Sequence, residues 1–146
     1  MKLVKTVTTY NTLELLKGMV DISADHFIKD QNYHVSPFEK ATIFSFGRQC
    51  GHTEAIKEYV GQSEDEVLVV CRNQYTATEF NGSLGFSVAV SVSNVKFDKF
   101  RGCRTKPVKI IFDSCPTNQI KVFIYESLEY KAYDIKAITI VQPAVF

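Results

Sequence analysis

Two kinds of apolar spacing share this chain. Lys2 to Thr9 sets Val and Thr among lysines and predicts an edge strand. Leu13, Leu16, Met19, Val20 and Phe27 then recur at helical intervals behind Asn11 and Glu14, which are placed as an N-cap and its reciprocal acid. A helix is therefore predicted over Thr12 to Lys29. Ser36 and Pro37 break the chain before Ala41 to Phe46, a short apolar, β-branched run that stops at Gly47 as a buried parallel strand does. A second helix is expected from Gly51 to Val60, stopped by Gly61.

Glu66 to Cys71 holds four consecutive apolar residues and predicts a strand buried on both faces, followed by a short helix over Gln74 to Phe80. The valines between Phe86 and Val95 alternate as in a strand with one buried face. Val108 to Phe112 predicts a further buried strand ending in Asp113. Gln119 to Lys131 fits a helix better than a strand by length, and Ile135 to Val141 predicts the last strand. Strands alternating with helices imply crossover connections and a parallel sheet.

Composition narrows this picture. The 146 residues are 45% apolar, enough for one core, so 1–146 is expected to be a single domain. Residues 1–35 would form an N-terminal strand and helix extension, and 36–146 the core of the domain. A formal charge of +1 argues against a protein that is basic throughout. Cys50, Cys71, Cys103 and Cys115 form no C-x-x-C pair, so reduced, mostly buried thiols are expected rather than zinc. No run approaches the ~20 apolar residues of a membrane span, and a cytoplasmic protein is expected.

The candidate chemistry lies where the strand ending at Phe46 runs through Gly47, Arg48, Gln49, Cys50 and Gly51 into a helix beginning His52-Thr53-Glu54. Strand, glycine-containing loop and helix N-terminus make a phosphate cradle, because loop N–H groups and the helix dipole converge on an anion. Against G-x-x-x-x-G-K-[ST], Gly51 is kept and Thr53 stands at the Mg²⁺ position, whereas Phe46 replaces the first glycine and His52 the lysine. Imidazole is shorter than lysine and largely neutral near pH 7, so weakened nucleotide affinity is expected. Asp113 ends an apolar strand where an acid that holds Mg²⁺ is expected. Ser114 stands where many such ATPases carry a glutamate, leaving Glu54 or Glu126 as the carboxylates an active hydrolase would need.

Gly47-Arg48-Gln49-Cys50-Gly51-His52-Thr53, Phe100-Arg101-Gly102 and Ile110-Ile111-Phe112-Asp113-Ser114 occur in an order that resembles the ATPase domain of tailed-phage large terminase subunits. The resemblance covers Ser36 to Pro143, and its P-loop variant accounts for the missing first glycine. It implies a three-layer α/β, P-loop NTPase-like domain with a mostly parallel central sheet. It also implies ATP and Mg²⁺ as ligands, with Arg48 and Thr53 facing them, Asp113 holding the metal and Arg101 sensing phosphate. Partners would be a nucleotide, with DNA or a phage or host protein beside it, in the host cytoplasm if the chain is of phage origin. Lys96, Lys99, Arg101, Arg104, Lys106 and Lys109, interleaved with Phe97 and Phe100, offer a basic nucleic-acid patch. The alternative is a degenerate fold that has lost its nucleotide and serves as a protein-interaction or inhibitory module.

Overall fold

The computed structural model describes residues 2–30, 36–46, 51–93, 108–129 and 135–143. In chain order the elements are α1 (Lys2–Lys29), a 3₁₀ turn (Pro37–Lys40), β1 (Thr42–Phe46), α2 (His52–Gln62), β2 (Glu66–Cys71) and α3 (Gln74–Leu84). They continue with β3 (Ala89–Ser91), β4 (Val108–Asp113), α4 (Thr117–Phe123), a π-helical turn (Ile124–Glu129) and β5 (Ile135–Pro143). The strands form one sheet in the order β1-β5-β4-β2-β3, and every pairing is parallel.

Successive side chains of a strand point to opposite faces, and here each face meets its own layer of helices. Val67, Val69, Cys71, Ile111, Ala137 and Val141 pack against Leu13, Leu16 and Val20 of α1, Ile56 of α2 and Phe80 of α3. Leu68, Val70, Ile110, Phe112, Ile138 and Ile140 pack against Ile120 and Phe123 of α4 and Ile124 of the following turn. Phe112 and Phe123 meet edge to face at 5.7 Å, an arrangement favoured by the ring quadrupole. The fold is a three-layer α/β sandwich. Covered on both faces, β2 and β4 carry the unbroken apolar runs that such burial requires.

Two buried polar pins seat α1 on the sheet. Ser23 Oγ, with 0% exposure, donates to the Lys40 carbonyl at 2.9 Å and accepts the Ile138 N–H at 2.9 Å. Thr42 Oγ1 donates to the Met19 carbonyl at 2.8 Å and lies 3.3 Å from Thr139 Oγ1. Each pin gives a buried hydroxyl the hydrogen-bond partners that apolar packing alone would not supply.

The sequence expectations hold for β1, β2 and β4 and fail at several boundaries. The stretch Lys2 to Thr9 is not a strand but the opening of α1, and the helix runs straight through Asn11, the expected cap. Extending an existing helix is far cheaper than nucleating one, which overrides the local β preference of Val and Thr. Gly61 does not stop α2. The helix ends at Ser63, whose hydroxyl accepts the Asp65 N–H at 3.2 Å and donates to the Asp65 carbonyl at 3.1 Å.

α3 runs past Phe80 to Leu84 and ends on Gly85 at φ 80°, a left-handed cap suited to glycine. Of Phe86 to Val95, only Ala89–Ser91 pairs as strand. Asn81 holds this short strand from outside: its Oδ1 accepts the Val88 and Ala89 N–H groups, both at 2.7 Å, and its Nδ2 donates to the Ala89 carbonyl at 3.0 Å.

Because all strands run the same way, their carboxyl ends share one edge of the sheet, and α2, α3 and α4 each begin there. In open α/β sheets this edge is where ligands bind.

Candidate functional site

At that edge β4 delivers Asp113, 3% exposed, on the face covered by α2. Thr53 Oγ1, in the first turn of α2, donates to Asp113 Oδ2 at 3.4 Å. His52 Nε2 lies 3.5 Å from Asp113 Oδ1, and Ser114 Oγ donates to the same oxygen at 3.1 Å. A buried carboxylate is thus held by three side chains beside the N-terminus of a helix, which gives both of its oxygens partners. Gly51, immediately ahead of α2, sits at φ 68°, a left-handed conformation open to glycine without steric cost.

Ser114 also has a positive φ, 60°, rare for a residue with a β-carbon and costing on the order of 1–3 kcal/mol. Its N–H donates to the Val141 carbonyl at 2.8 Å, which carries the β4–β5 pairing one residue further and holds the bend in place. Beneath it Cys115 Sγ donates to the Val70 carbonyl at 3.2 Å. Burial first, and the nearby Asp113 charge second, push the Cys71 thiol up to about 12. Burial likewise pushes Cys115 up to about 12, with Cys71 and Asp113 adding to it. Both thiols stay protonated and inert at neutral pH.

Thr53 and Asp113 offer hard oxygen donors. No group of three or more His, Cys, Asp or Glu that could cage a metal ion gathers among the described residues. Mg²⁺ does not need one, since it binds through one or two protein oxygens together with phosphates and water. The donor set fits that use.

The structure brings Gly51, His52, Thr53 and Asp113 to one edge. Gly47, Arg48, Gln49, Cys50 and Arg101 lie outside the described residues, as do Lys96, Lys99, Arg104 and Lys106. Glu54 is exposed and paired with Lys57 at 3.3 Å, and Glu126 is exposed on the turn after α4. Lys109 belongs elsewhere. Together with Lys136 it holds Asp65 at the opposite, amino edge of the sheet, each ammonium 3.0 Å from Asp65 Oδ2, while Lys109 also donates to the Tyr59 hydroxyl at 3.0 Å. Hydrogen bonds from Lys109 and Lys136 hold the Asp65 carboxyl below its ordinary value, against a smaller opposing effect of burial. Burial disfavours the Lys109 ammonium, but its bonds to Tyr59 and Asp65 outweigh that and raise it.

Sequence reasoning missed this triad, whose members are up to 71 positions apart, and it missed the turn at Ser114. A concavity of about 360 Å³ opens beside the triad, lined by Lys17, Asp21, Tyr59 and Asp65 among others. Another of about 400 Å³ lies between Phe38, Lys121, Ile124 and Tyr125. Among the described residues no helix is long and apolar enough to cross a membrane. No family model matches the chain, and no curated protein or solved structure is significantly similar to it.

Proposed function

We propose that this chain is a nucleotide-binding α/β domain of the P-loop kind, related to the ATPases of DNA-packaging terminases, in which hydrolysis is weak or absent. The observation that carries the reading is the meeting of Thr53 and Asp113 at 3.4 Å at the carboxyl edge of a parallel sheet, where the sequence motif requires a hydroxyl and an acid to share a metal. ATP with Mg²⁺ is the proposed ligand pair. Thr53 and Asp113 would hold the metal, and the N-terminus of α2 with its preceding loop would receive the phosphates. When bound, Mg²⁺ neutralises phosphate charge.

Binding without efficient turnover follows from Ser114, which offers a hydroxyl where a carboxylate would orient the attacking water, and from Glu54, which faces Lys57. DNA, or a phage or host protein, is the proposed macromolecular partner, with the host cytoplasm as the setting.

One observation favours a second reading, that of an interaction module without nucleotide. His52 lies against Asp113, so the histidine at the lysine position contacts the metal acid rather than reaching outward. Calorimetric titration with a non-hydrolysable ATP analogue, with and without Mg²⁺, separates the two. Metal-dependent saturable binding supports the nucleotide reading, and no binding at millimolar ligand supports the module.

A further inference from the structure

Most cations among the described side chains are engaged. Lys17 pairs with Glu14, Lys29 with Asp25, and Lys57 with Glu54. Lys109 and Lys136 pair with Asp65, while Lys40 and Lys121 stack over Phe27 and Phe38. Arg72 is different: it is exposed and makes no hydrogen bond, ion pair or ring contact with any described residue.

Its position in the fold is specific. Arg72 directly follows Cys71, and Cys71 is the register partner of Asp113 on the adjoining strand. Neighbouring strands lie about 4.8 Å apart and a residue advances about 3.3 Å, so the Arg72 backbone stands roughly 6 Å from that of Asp113. An extended arginine side chain covers that separation. The residue after it, Asn73, caps α3 by accepting the Thr76 N–H at 2.8 Å, so a second helix N-terminus opens beside Arg72. The edge thus combines a buried acid, two helix N-termini and an uncommitted guanidinium, while the motif position for lysine carries His52.

We infer that Arg72 supplies the phosphate-binding cation that His52 does not, gripping the terminal phosphates of a nucleoside triphosphate from the β2 side of the site. This rests on the nucleotide reading above. A guanidinium suits the task, since its planar donors grip two phosphate oxygens at once. In this arrangement affinity rises with the number of phosphates, and Arg72 accounts for much of the rise.

The test is calorimetric titration of wild type, Arg72→Ala, Arg72→Lys and Arg72→Gln with the Mg²⁺ complex of a non-hydrolysable ATP analogue, with Mg-ADP and with AMP. Arg72→Ala is expected to bind the triphosphate analogue about tenfold more weakly and AMP unchanged, with Arg72→Lys in between. Thermal melts should match wild type, because the side chain has no partner to lose among the described residues; Arg72→Gln serves if the alanine variant unfolds. Undiminished triphosphate binding by the variants overturns the inference and leaves the nucleotide reading intact, as does an equal loss for AMP. Wild type that binds none of the three overturns both.

Discussion

Thr53 Oγ1 donates to Asp113 Oδ2 across 3.4 Å although 60 positions separate them in the chain. The contact exists because β5 lies between β1 and β4 in the sheet, so the helix after β1 must cross toward β4 and β2. Its first turn then lies over the end of β4.

Asp113→Asn keeps the shape of the side chain and removes its charge. The variant is expected to fold and to lose about tenfold in Mg²⁺-dependent affinity for a non-hydrolysable ATP analogue, with little change when metal is withheld. Titration with and without Mg²⁺, beside a thermal melt, checks this. Affinity equal to wild type in the presence of metal would remove Asp113 from the site.

His52→Lys places a flexible ammonium in the first turn of α2. Affinity for the same Mg²⁺ complex is expected to rise about tenfold. An interaction module would bind no nucleotide before or after the change, so one titration series decides between the two readings.

The legible parts of this fold are those where burial leaves no choice. Val67, Leu68, Val69 and Val70 read as a fully covered strand because both faces are covered. Thr53 and Asp113 were legible because the order of strand, glycine loop and helix, with a later apolar strand ending in an acid, confines them to one edge. Lys2 to Thr9 misled because local β preference says nothing about the helix that continues into it. Ser114 could be placed after the strand-ending acid but not read as a left-handed turn, which is fixed by the Val141 carbonyl on another strand. Arg72 carried no signal, since an exposed arginine obeys no periodicity.

Asp65→Asn tests the triad at the amino edge. Hydrogen bonds lower the Asp65 pKa in the folded protein, so its contribution is present above the unfolded value near 4 and disappears as pH falls through the lower folded value. The variant is expected to be about 1 kcal/mol less stable at pH 7, with the gap closing below pH 4. Urea unfolding at pH 7 and pH 3 measures it. A gap that is the same at both pH values would show that the charge is not its source.

Ser23→Ala leaves the Lys40 carbonyl and the Ile138 N–H without their shared partner in a site closed to water. A loss of about 2 kcal/mol is expected from chemical denaturation. A change below a few tenths would mean that α1 is held by its apolar face alone.

Asn81 deserves to be read as a sheet element in its own right. Its amide both donates to and accepts from Ala89, the pairing a neighbouring strand would make, so one side chain takes the place of a strand along part of β3. An exposed strand edge is a template on which other chains nucleate. By occupying the outward backbone groups of Ala89, a single asparagine in α3 leaves less of this three-residue strand open as such a template.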